Sequence, residues 1–141
     1  MNGAVEELFM PVGAITGRCF AVPVTSTSVH IDLTAANYAA LLSFINNNAC
    51  IVEVTGDDDV FYRWSAATSG ETVDQTVTGA SGTQANITPR LFAGERKVER
   101  PGLAIAKGQT VQGIVVKSVV AATILRITIC SKTRVERMWL G

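Results

Sequence analysis

The stretch "VEVTGDDDVFYRWS", Val52 to Ser65, decides how the chain is read, because it sets three consecutive aspartates between two segments of alternating apolar and polar residues. Val52 and Val54 lie on one face of the first segment, and Val60, Tyr62 and Trp64 on one face of the second, the period of half-buried β-strands. Three adjacent carboxylates are compatible with a metal site, a catalytic cluster or a turn. A calcium loop of the EF-hand kind needs alternating ligands, a central glycine and a later glutamate. Here Asp57, Asp58 and Asp59 are contiguous and follow Gly56. Contiguous carboxylates in a turn point in different directions, so "TGDDD" predicts a β-hairpin tip, with Gly56 supplying a positive φ and the aspartates keeping the tip wet.

The same alternation extends outward in both directions. In "GRCFAVPV", Phe20, Val22 and Val24 share a face, and Pro23 on the other face predicts an edge strand, since proline cannot donate to a ladder. "SVHIDL" sets Val29, Ile31 and Leu33 against Ser28, His30 and Asp32. "TAANYAALLSFINNN" is the one helix candidate, with Thr34 as cap and Tyr38, Leu41, Leu42 and Ile45 as its apolar stripe. Residues 65–86 are rich in Ser, Thr, Ala and Gly and predict a long loop, in which "TVDQTVT" has the makings of a weak hairpin arm. "TVQGIVVKSVV" and "TILRITICS", separated by "AA", read as the strongest strand pair. About eight short strands with at most one short helix predict an all-β fold, a jelly-roll-like β-sandwich. The expected division is an extended arm over 1–12, the sandwich over 13–131 and a terminal strand or arm over 132–141.

Composition narrows the function classes. Twelve basic and twelve acidic residues cancel, so net charge supplies no field to recruit nucleic acid or an anionic membrane. Charged residues make up 17 % against 48 % hydrophobic, a low charge density that hints at assembly. Cys19, Cys50 and Cys130 have neither disulfide-framework nor zinc-knuckle spacing and read as buried thiols in a reducing cytosol. The amino terminus is acidic where an export signal would be basic, and no apolar run is long enough to span a bilayer. No membrane, nucleic acid, metal or cofactor is therefore expected. Ser28, His30 and Asp32 imitate a catalytic triad, but side chains two apart on a strand are about 6.5 Å apart, beyond hydrogen-bond reach, so they read as a solvated strand face. "NIT" at Asn86 reads as a chance glycosylation match, and no P-loop, G-x-G-x-x-G or H-E-x-x-H occurs. An enzyme is not expected.

The ends carry more information. Glu6 and Glu7 oppose Lys132, Arg134 and Arg137 in charge, and Leu8, Phe9, Met10, Trp139 and Leu140 are apolar anchors of the sort that dominate interfaces. These residues, helped by Arg96, Lys97 and Arg100, form the expected partner-binding set. Trp139 and Val135 have the alternative of tucking into the chain's own core, and Lys97 and Arg100 that of guarding an edge strand.

The order of segments, "NNNACIVEVTGDDDVFYRWS", a polar loop, "LFAGERKVERPG" and "GIVVKSVVAATILRITI", resembles the cement or decoration proteins of tailed bacteriophage heads over residues 14–131. That resemblance implies a non-enzymatic virion protein with a jelly-roll sandwich, made in the bacterial cytoplasm, that binds the major capsid protein on the shell exterior as a homo-oligomer, dimer first and trimer second. The 65–86 loop is longer than that pattern leads one to expect. A head-fibre, tail or connector protein, and a carbohydrate-binding jelly roll, are the other readings. A cupin needs several metal-binding histidines, and His30 is the only one.

Overall fold

The structure is a computed structural model and describes residues 7–10, 19–46, 50–73 and 88–134. Among the described residues are nine strands, β1 (Glu7–Met10), β2 (Cys19–Thr25), β3 (Val29–Asp32), β4 (Cys50–Gly56), β5 (Val60–Ser65), β6 (Arg90–Leu91), β7 (Arg96–Glu99), β8 (Gly113–Ser118) and β9 (Ala122–Arg134), and one α-helix, α1 (Ala39–Ile45). The fold is an all-β sandwich of two antiparallel sheets. In sheet A, β9 is flanked on one edge by β2 and then β1 and on the other by β4, beyond which lies β7. Sheet B has the order β3-β8-β5-β6.

Alternation sets which residues meet between the sheets. Sheet A contributes Phe20, Val22, Val24, Val52, Val54, Leu125, Ile127 and Ile129, and sheet B contributes Val60, Tyr62, Trp64, Leu91, Ile114 and Val116. Full burial of each such aliphatic side chain stabilises by about 1.5–3 kcal/mol. The rings of Tyr62 and Trp64 meet edge to face, with centroids 6.1 Å apart. A short 3-10 turn, Ala36–Tyr38, leads into α1, and Tyr38, Leu41 and Ile45 join the same core. Thr34 does not cap the helix. Its N–H and hydroxyl both bond Asp32 Oδ1, forming a turn before the helix.

The predicted hairpin at the aspartates and the predicted strand pair after it are both crossings between sheets. β4 belongs to sheet A and β5 to sheet B, so the aspartates form an arch over the end of the sandwich, not a hairpin tip. β8 and β9 are likewise split between the sheets and do not pair. Gly56 does not have a positive φ. A Cβ there would lie 2.7 Å from the Asp58 carbonyl oxygen, so close approach across the arch explains the glycine. Pro23 faces away from the core on β2, which among the described residues pairs only with β9, as an edge position requires.

The outer face of sheet B is not solvated as its sequence suggested. Residues 66–73 leave the end of β5 and cross this face to the start of β3 as a strap. His30 accepts the Glu71 N–H at Nδ1 (3.0 Å), which fixes the proton on Nε2, and Nε2 donates to the Ala67 carbonyl (2.9 Å). Ser28 Oγ accepts the Val73 N–H, Ser65 bridges Ala67 and Glu71, and Arg63 pairs with Glu71 and donates to the Thr72 carbonyl. Val115 stands in register between His30 and Arg63 and is fully buried beneath the strap. Gly113 permits the approach, since a Cβ there would lie 2.5 Å from the Ala67 oxygen and 2.6 Å from His30 Nε2.

Candidate interaction surface

The first and last described segments come together. Glu7–Met10 pair antiparallel with Ser131–Arg134, Glu7 standing opposite Arg134 and Met10 opposite Ser131. The boundary expected at residue 131 therefore falls inside a continuous thirteen-residue strand. β4 pairs with β9 only as far as Ser131, so among the described residues 132–134 are bonded by β1 alone. The result is a two-stranded ribbon running on from the sheet. An isolated two-stranded ribbon is marginal in water and gains stability when another surface covers it. Leu8, Phe9 and Arg134 lie on this ribbon; Glu6, Arg137, Trp139 and Leu140 fall outside the described residues.

Arg96, Lys97 and Arg100 are placed on or beside β7, the far edge of sheet A, well separated from the ribbon by β4 and β9. The expected set is thus divided between two sites. Arg96 pairs outward with Glu53 at 2.9 Å. Lys97 turns inward, 3.1 Å from Glu99 and 5.4 Å from the centroid of Tyr62. Glu99 also accepts the Tyr62 hydroxyl (2.9 Å) and the Trp64 indole N–H. Burial, followed by the charge of Glu99, pushes the Tyr62 phenol well above its ordinary pKa. This cluster closes the open side of the sandwich, where an edge lysine also discourages pairing with another sheet. Arg100 is exposed and precedes the 3-10 turn Pro101–Ala104, on which Leu103 is 75 % exposed.

The opposite end of β9 is organised by the aspartates. Asp57 binds Arg126 through two hydrogen bonds of 3.1 Å. Asp59 pairs with Arg90, accepts the Ala93 N–H at 2.7 Å, and through its carbonyl accepts the Val119 N–H at 3.2 Å. One residue thus ties the arch to both the 92–95 turn and the turn after β8. Both carboxylates are held below the ordinary aspartate pKa, chiefly by the hydrogen bond from the arginine. Among the described residues no three His, Cys, Asp or Glu side chains converge as a metal-ion site, and no helix is long and apolar enough to cross a membrane.

This end also carries residues that sequence reasoning passed over. Arg90 lies 5.7 Å from the Phe61 ring centroid and 5.0 Å from that of Phe92. Phe92 is 55 % and Val119 53 % exposed. The signal was available in "PRLFAG" and "KSVVAA", whose apolar residues sit in turns where solvent contact is hard to avoid. Ser28, His30 and Asp32 do not form a triad; His30 bonds the strap and Asp32 bonds Thr34.

Searches of protein-family models, of curated proteins and of solved structures each return no match.

Proposed function

We propose that this chain is a non-enzymatic virion protein that attaches to the exterior of an assembled phage capsid shell and reinforces it, with the major capsid protein as its partner. The observation that carries this reading is the pairing of Glu7–Met10 with Ser131–Arg134, which joins the first and last described segments in one ribbon beyond the sandwich. A ribbon of this kind orders further on contact with a partner while the sandwich behind it stays rigid, so little conformational entropy is lost on binding. Repeated copies over a shell add avidity without a strong charge field. The strand orders β2-β9-β4-β7 and β3-β8-β5-β6, with connections that pass repeatedly between the sheets, support reading the sandwich as a jelly roll. We take the protein to self-associate, as a dimer in the first instance, and light scattering at high concentration tests that: a strict monomer, together with isolated single copies on the particle, removes it.

The function itself is tested by imaging empty shells, assembled from the major capsid protein of the same genome, with and without the purified chain. Regularly spaced added density and greater resistance of the shell to heat are the expected outcome. Shells that sediment without the chain and look the same in both preparations contradict the proposal.

A further inference from the structure

We propose that β1 is an exchangeable strand, and that two copies of this chain dimerise by each laying Glu7–Met10 along Ser131–Arg134 of the other. The inference rests on the self-association proposed above and names the interface that produces it. It starts from register. β1 and β2 lie in line on one edge of β9, both antiparallel to it, with Met10 opposite Ser131 and Cys19 opposite Thr128. Three residue steps of β9 separate those two partners, a distance of about 10 Å. Nine steps of chain lead from Met10 to Cys19, enough to span about 30 Å when extended. Two intervening residues would join the strands directly, and the sequence supplies eight, 11–18.

Pairing within one chain must store the surplus residues between the strands, whereas pairing with a neighbour uses them as reach. The composition of "PVGAITGR" favours reach: Pro11 disfavours the α region for Met10, and Val12, Ile15 and Thr16 are β-branched residues with a preference for extended backbone. Exchange gives up little. Among the described residues β1 pairs with β9 alone, so moving it to a second copy breaks no other ladder and remakes each β1–β9 bond there. The receiving strand needs it, because beyond the end of β4 residues 132–134 are bonded by β1 alone among the described residues. Each copy's ribbon is then completed by its neighbour, and reciprocal exchange closes as a two-fold dimer. Lost translational freedom opposes the exchange. Copies gathered at high local concentration, as on a shared surface, offset that loss.

Mixed-label NMR on the full chain tests this directly. Chains labelled with nitrogen-15 and carbon-13 are mixed with unlabelled chains in denaturant, refolded together at high concentration, and searched for nuclear Overhauser effects that pass between labelled and unlabelled molecules. Such contacts are expected between residues 7–10 and 131–134, in the register Leu8 to Thr133 and Phe9 to Lys132. Deleting residues 13–18 supplies the converse experiment, since Pro11 and Val12 then fill the positions opposite Cys130 and Ile129 and carry β1 straight into β2 on the same chain. That variant should keep its sandwich by circular dichroism and raise the dimer Kd at least about tenfold. A dimer whose β1–β9 contacts all stay within one chain overturns the inference and leaves self-association standing, whereas a strict monomer removes both. A shortened chain that folds and dimerises as tightly as the full one also overturns it; if the shortened chain does not fold, the mixed-label result decides alone. No shell is present in either experiment, so the shell-binding reading is decided separately by imaging.

Discussion

The outer faces of the two sheets are built differently although both belong to one sandwich. Sheet A opens its outer face to solvent along β2 and toward the arch, where β2 alternates exposed and buried without a break and Arg96–Glu53 and Arg126–Asp57 form ion pairs, while nearer the ribbon the paired Ile51 and Cys130 are buried on that face. Sheet B buries both faces over its centre, and β8 reads as a run of four buried residues from Gly113 to Val116 because the strap covers its second side. The lesson concerns sequence pattern. Clean alternation marks a strand with one wet face, and a continuous apolar run such as "GIVV" marks one that is covered twice. Polar residues flanking such a run, here His30 and Arg63, then serve as ties for the covering segment.

The largest contrast should come from placing the same charge on each outer face. Val115→Asp buries a carboxylate beneath the strap and should cost about 4 kcal/mol or unfold the protein. Ala21→Asp, exposed and opposite Arg126 on sheet A, should stay within about 0.5 kcal/mol. Denaturant midpoints of the two variants make the comparison, and equal losses would mean that the strap does not cover Val115. Gly113→Ala should follow at about 2–3 kcal/mol, because the added methyl must displace the Ala67 carbonyl or His30.

Glu71→Gln should be milder, about 1 kcal/mol, with the effect concentrated in the strap. Amide exchange at Ala67, Glu71 and Val73 should accelerate while core strands keep their protection. Burial alone would raise the Glu71 pKa, but hydrogen bonds from Arg63 and Ser65 and the Arg63 charge outweigh it and hold the carboxyl below its ordinary value. A lowered folded-state pKa contributes stability that is present above the ordinary glutamate range and lost as pH falls through the lowered value. Strap protection should therefore decline on acidification into that range, and the Gln variant should lack this part of the pH dependence.

The smallest effects should be at the arch. Among single Asp→Asn replacements, Asp59 should matter most, since it ties two turns, then Asp57 and then Asp58. All three should fold, and a chelator should leave the Tm of the native protein unchanged; a large drop would reveal a metal bound to the folded state.

Much of the sandwich was legible because apolar periodicity is local. Phe20, Val22 and Val24, Val60, Tyr62 and Trp64, and Leu125, Ile127 and Ile129 were assigned faces that the structure keeps. Strand pairing was not legible in the same way. "TGDDD" and "AA" are turns in both readings, but a turn does not specify whether the next strand bonds to its predecessor or crosses to the other sheet; facing side chains from distant segments decide that. Gly56 shows the same limit, since an ordinary φ and a crowded Cβ look identical in sequence to a positive φ. The sequence around His30 predicts a solvated face because its cover comes from residues 66–73, whose small polar composition gives no sign of what they lie on. At the candidate surface, the charge and apolarity of the two ends drew attention to both, whereas their register came only with the structure.

Under the proposed function, Glu7–Met10 and Ser131–Arg134 act as one ribbon at the shell. Occupancy on empty shells should be measured for the full chain, for deletions of residues 1–12 and 133–141, and for the double deletion, each confirmed as folded by circular dichroism. Either deletion should remove most of the occupancy, the double deletion should remove no more than the stronger single one, and binding of the full chain should withstand moderate salt because apolar contacts are not screened. Full occupancy in both single deletions would contradict the account and place the contact on the sandwich itself.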